Sequence, residues 1–89
     1  MRFEIVNCKS GWQRLFYITE NGEALLDNSS PSIHCHTPRG VKVDCNVRQL
    51  ELELGIFAFD FLFIDSGKYV FVCSENGSPS MIIVATVKK

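Results

Sequence analysis

The stretch Ile56-Phe57-Ala58-Phe59-Asp60-Phe61-Leu62-Phe63-Ile64 decides the fold of this chain. Side chains of an extended strand alternate between its faces, so Phe57, Phe59, Phe61 and Phe63 share one face and Ile56, Ala58, Asp60, Leu62 and Ile64 share the other. Four aromatic rings on one face require a core. The second face is apolar except at Asp60, which predicts a central strand.

Working outward, the same period of two recurs. Toward the N-terminus, beyond Gly55, Val47 to Leu54 alternates Leu50, Leu52 and Leu54 against Gln49, Glu51 and Glu53. Gly40 to Cys45 alternates Val41, Val43 and Cys45 against Lys42 and Asp44. Both read as half-buried strands with one wet face. Arg2 to Cys8 and Trp12 to Thr19 are predicted strands separated by Lys9-Ser10-Gly11, and Asn21-Gly22 is a hairpin signal leading into a short strand at Glu23 to Leu26. Asp27 to Pro31 reads as a loop, and Ser32 to His36 is ambiguous. On the C-terminal side Asp65-Ser66-Gly67-Lys68 turns the chain into Tyr69 to Cys73, Ser74 to Ser80 reads as a polar loop, and Met81 to Val87 is the last strand. No segment carries a convincing helical period. About eight strands with short connections predict one all-β domain over residues 1–89, an antiparallel Greek-key β-sandwich. The abrupt start in strand-like sequence predicts a domain excised from a larger protein.

Composition narrows the function classes. The 89 residues are 46% hydrophobic, enough for a packed core, with nine Lys plus Arg against ten Asp plus Glu and no run of like charge. A nucleic-acid binder is expected to carry a basic stripe, so that class is excluded as a partner. No window approaches the roughly 18 apolar residues of a membrane span, which excludes direct membrane insertion.

Phe57-Ala58-Phe59-Asp60-Phe61, then Gly67-Lys68-Tyr69-Val70-Phe71-Val72-Cys73-Ser74, then Met81 entering a strand that ends at Val87, resemble the cupredoxins, the small blue-copper proteins. The resemblance covers about a third of the chain. It implies a cupredoxin-like fold in which Cys73 would supply a thiolate, Met81 a weak axial ligand and His34 or His36 an imidazole. The family carries a second imidazole three residues after that cysteine, where this chain has Asn76. A blue-copper centre needs two imidazoles and a thiolate, so the expectation is a copper-free domain with no cofactor, the alternative being a variant copper centre built on His36, Cys73 and Met81. Asp65-Ser66-Gly67-Lys68-Tyr69 followed by a cysteine also resembles the tyrosine corner of immunoglobulin-like domains. There the tyrosine precedes the cysteine by two residues, whereas Tyr69 precedes Cys73 by four, so the immunoglobulin-like sandwich is the alternative fold.

The remaining chemistry is sparse. On a strand His34 and His36 share a face and Cys35 points the opposite way, so the three cannot bind one metal together. Four cysteines allow two disulfides, with Cys35–Cys45 preferred from proximity and Cys8–Cys73 across the sandwich. Asn28-Ser29-Ser30 matches the N-glycosylation tripeptide. Together these favour an extracellular or lumenal setting over the cytoplasmic alternative. No nucleophile-elbow, zinc-helix or phosphate-loop motif occurs, and Asp60 is the one carboxylate placed on the aromatic strand. The expectation is a protein without catalytic residues, an interaction or structural module of an extracellular or membrane-attached protein. Its partners would be another protein or neighbouring domains of the same chain. The alternatives are a copper-binding electron carrier and a carbohydrate- or peptide-binding sandwich.

Overall fold

The alternating pattern becomes eight strands in the computed structural model of the chain, which describes residues 1–19, 30–51 and 55–88. They are β1 (Arg2–Lys9), β2 (Gly11–Ile18), β3 (Ser32–His36), β4 (Lys42–Cys45), β5 (Arg48–Glu51), β6 (Ile56–Phe63), β7 (Gly67–Glu75) and β8 (Ser78–Lys88). The first sheet runs β1-β8-β7-β3-β4 and the second β2-β6-β5. The fold is therefore the all-β sandwich expected. The expected strand at Glu23 to Leu26, the Asn21-Gly22 hairpin, the glycosylation tripeptide at Asn28 and the end of the expected strand at Leu52 to Leu54 lie outside the described residues.

β6 is the middle strand of its sheet, as expected; its aromatic face is turned to the core, while Asp60 and Leu62 on the other face are exposed. Phe57, Phe59 and Phe63 are buried inside the sandwich beside Tyr69 and Phe71 from the facing sheet. The rings meet at tilted or edge-on angles, with centroids 5.4 Å apart for Phe59–Phe71 and 4.8 Å for Phe63–Tyr69, the geometry that aromatic quadrupoles favour. From the other sheet Ile33, Cys35, Cys73, Met81, Ile83, Ala85 and Val87 complete the core.

Two connections differ from the sequence reading. Every described pairing is antiparallel except β1 with β8, which run parallel from Arg2 opposite Met81 to Lys9 opposite Lys88. Residues 74–80 are not a loop. β7 continues to Glu75, β8 begins at Ser78, and the chain reverses through Asn76 and Gly77 with φ of 53° and 82°. Two consecutive positive φ values mark a type I′ hairpin turn, which Asn-Gly favours because neither residue is penalised there.

Candidate functional site

One open side of the sandwich carries the most distinctive surface. β4 is one edge strand of the five-stranded sheet, opposite β1, and among the described residues it pairs only with β3. Alternation turns Val43 and Cys45 of this strand toward the facing sheet, where Val43 stays exposed and Cys45 half-buried. The result is a cleft of about 680 Å³ lined by Val41, Val43 and Cys45, by Phe61, Leu62 and Ile64 from both faces of the β6 end, and by Trp12 and Tyr69. That volume lies within the roughly 300–1,000 Å³ typical of ligand-binding clefts. Several of the lining side chains are wet: Trp12 is 69% exposed, Ile64 67% and Val41 54%.

Charges rim this apolar cleft. Asp60, the carboxylate singled out on the aromatic strand, pairs with Arg14 at 2.9 Å and Arg48 at 3.9 Å. The Arg14 hydrogen bond holds its carboxyl below the ordinary carboxylate range. Asp65 pairs with Arg39 at 3.1 Å. Asp44, Arg48, Thr37 and Asn46 also line the cleft.

Two tyrosines fix opposite ends of the sandwich. At the β6–β7 corner the Tyr69 hydroxyl donates to the Asp65 carbonyl at 2.8 Å and accepts from the Asp65 amide at 3.1 Å. About 20 Å away along β7, by the rise of a strand, the buried Tyr17 hydroxyl of β2 reaches across to the other sheet. There it donates to Glu75 and shares a hydrogen bond with the Ser80 hydroxyl. The Arg2 guanidinium lies over its ring, 5.5 Å from the centroid, a cation–π contact. Burial first, then the bond to Glu75, pushes the Tyr17 phenol up to about 12. Sequence reasoning did not single out Tyr17, Glu75 or Ser80, because residues 58 and 63 positions apart leave no local signal of contact.

The variant copper set does not assemble. Cys73 and Met81 are paired across β7 and β8, both buried on the inner face. His36 sits on the outer face of β3, opposite Val70 and Lys42, and stacks edge-on against His34 at 5.1 Å. Asn76 is at the tip of the hairpin turn, three residues beyond Cys73. The residues present do not fit a copper centre of the kind the resemblance implies. Among the described residues no group of three or more His, Cys, Asp or Glu is placed to hold a metal ion.

Neither expected disulfide forms, and all four cysteines are free thiols. Cys35 lies opposite Val43 while Cys45 lies opposite Ile33, so the two are diagonal neighbours on one face. Such diagonals separate Cβ atoms by about 7 Å, against the roughly 3.8 Å a disulfide requires. Cys8 is level with Val87 and Cys73 with Met81 at the other end of β8, about 20 Å apart along that strand. Burial pushes the Cys35 and Cys73 thiols up to about 12 and Cys45 up to about 11; Cys35 and Cys73, fully buried, are inert packing residues.

No protein family's sequence profile matches the chain, and no curated protein matches it in sequence.

Proposed function

We propose that this chain is a non-catalytic protein-binding module, an immunoglobulin-type sandwich that captures an extended apolar segment along the β4 edge. The observation that carries the reading is the cleft beside β4. A free edge offers unpaired backbone donors and acceptors to a strand, and the cleft immediately behind it offers apolar walls to that strand's alternate side chains. Exposed Trp12, Val41 and Ile64 are the contacts such a segment would cover.

The strand order favours the immunoglobulin type over the cupredoxin type. With β2 to β8 read as strands B, C, C′, D, E, F and G, the sheets B-E-D and C′-C-F-G of that fold are reproduced. The Tyr69 corner, closed on Asp65, supports the same reading. The spacing objection rested on Cys73. The position two residues after Tyr69 is Phe71, fully buried against Phe59, Phe61 and Phe63, so aromatic packing stands where the fold's second cysteine would be. The tight Asn76-Gly77 hairpin replaces the ligand loop on which the cupredoxin reading depended. The extracellular setting, proposed from paired cysteines and Asn28, loses the first of its supports, and four free thiols suit a reducing compartment equally.

A titration tests the binding role. The probe is a synthetic peptide alternating Val and Thr, followed by Trp12 emission. Burial of Trp12 should shift its emission to the blue with saturation, and Leu62→Lys, at a 39% exposed position, should abolish the shift while leaving the melting temperature unchanged. A saturable interaction that leaves Trp12 emission and the Leu62→Lys variant unaffected would place binding elsewhere.

A further inference from the structure

The outer face of the five-stranded sheet is apolar where water is expected. An antiparallel sheet of a sandwich normally presents polar side chains outward. Here the in-register row Phe3, Ile82, Val72, His34, Asp44 crosses the sheet from β1 to β4, and the next outward row is Ile5, Val84, Val70, His36, Lys42. Val6 and Cys8 pack on the core from the other face of β1, which leaves Phe3 71% and Ile5 77% exposed. Single exposed apolar residues are ordinary, but six contiguous outward ones over three strands, Phe3 and Ile5 exposed and Val70, Val72, Ile82 and Val84 half-buried, mark an interaction surface.

We infer that this face packs against the same face of a second copy of the chain, about a two-fold axis that runs across the strands between the two rows. The rows select that axis. It sets each row of one copy against the other row of its partner, so Phe3 meets Ile5, Ile82 meets Val84, Val72 meets Val70, His34 meets His36, and Asp44 meets Lys42. Every apolar residue finds an apolar one, and the two charges at the β4 end find their opposites twice. A two-fold axis along the strands would instead set Phe3 against Asp44 and Ile5 against Lys42, which strands two charges on apolar side chains. The symmetric arrangement is isologous, the commonest form of homodimer. Sheets stacked this way sit about 10 Å apart with strands within about 30° of alignment. The five strands cover about 600 Å² in projection, and side-chain relief brings this near the roughly 800 Å² per partner of a standard interface.

Sedimentation velocity on the 89-residue chain, across about 1 to 100 µM, tests the inference. Wild type should shift from monomer to dimer in this range, with a dissociation constant of about 10 µM. Ile5→Lys, at a wet position that folding does not use, should leave only monomer and an unchanged melting temperature. Asp44→Lys alone and Lys42→Asp alone each replace both ion pairs by like charges and should weaken the dimer about tenfold. An equimolar mixture of the two should regain wild-type affinity, because each copy then supplies the charges its partner lacks. Monomer at every concentration would overturn the inference. Dimerisation that survives Ile5→Lys while responding to Asp44→Lys would assign the contact to the β4 edge instead, and insensitivity to both would assign it to another surface; either result rejects the face.

Discussion

Replacing Phe71 by Ala removes the residue on which the two sheets meet. Its ring is fully buried and lies 5.4 Å from that of Phe59, 5.1 Å from Phe61 and 6.1 Å from Phe63. Truncating such a phenylalanine costs about 3–5 kcal/mol, the sum of lost transfer free energy, lost ring contacts and the cavity left behind. Collapse of the site is hindered here, because the neighbours that would have to move are large rings held by β6 and by the Tyr69 corner. A domain of this length has about 5–13 kcal/mol of stability in total, so the variant loses about a quarter of it at the least. Urea denaturation followed by far-ultraviolet circular dichroism should show the midpoint falling by about 3–5 M at a slope near 1 kcal/mol per molar. Phe3→Ala is the internal control, since Phe3 is 71% exposed and its loss should change stability by about 0.5 kcal/mol or less. Equal effects of the two substitutions would refute the assignment of Phe71 to the core and of Phe3 to the surface.

Other perturbations separate the parts of the architecture. Tyr17→Phe should cost about 1–3 kcal/mol, because Ser80 and Glu75 lose a buried hydroxyl partner. In wild type the raised Tyr17 phenol adds stability that is complete below pH 10 and lost as pH rises through about 12. Alkaline unfolding measured against the Tyr17→Phe variant reads that difference. Intact mass of the non-reduced chain should show no hydrogen deficit, and Cys35 and Cys73 should resist iodoacetamide at pH 8 until the chain is unfolded. Gly67→Ala should destabilise the β6–β7 corner. Its φ is +129°, and an added Cβ would come 2.9 Å from Pro38 Cγ, so the melting temperature should fall where Gly40→Ala, in open space, bears only the backbone penalty.

What the sequence made legible followed from period and turn chemistry. The aromatic face of β6, the inward alternation of β4 and the turns around Gly11 and Gly67 are local properties, and the structure places them where the pattern puts them. Pairing partners are not local. Nothing in Arg2 to Lys9 says that its neighbour is β8 or that the two run parallel, since that pairing is set by which sheet edge remains free after the core closes. The hairpin at Asn76-Gly77 was readable by the rule applied to Asn21-Gly22. The cupredoxin resemblance obscured it by assigning the segment to a ligand loop. Proximity in sequence likewise suggested Cys35 with Cys45, whereas cross-strand register sets their true separation. Of the cleft, only Asp60 and the inward residues of β4 were visible. Trp12, Leu62 and Ile64 join it through the packing of two sheets, which no short window contains.

The most direct measurement of the binding role is amide hydrogen exchange along Val41 to Cys45, with and without the alternating Val and Thr peptide. An added strand must hydrogen-bond the outward amides of β4, so their exchange should slow at least tenfold on saturation, with little change in β6 from Ile56 to Ala58, which is already paired with β2 and β5. Unchanged exchange in β4 under saturating peptide, with new protection confined to another edge, would contradict the account.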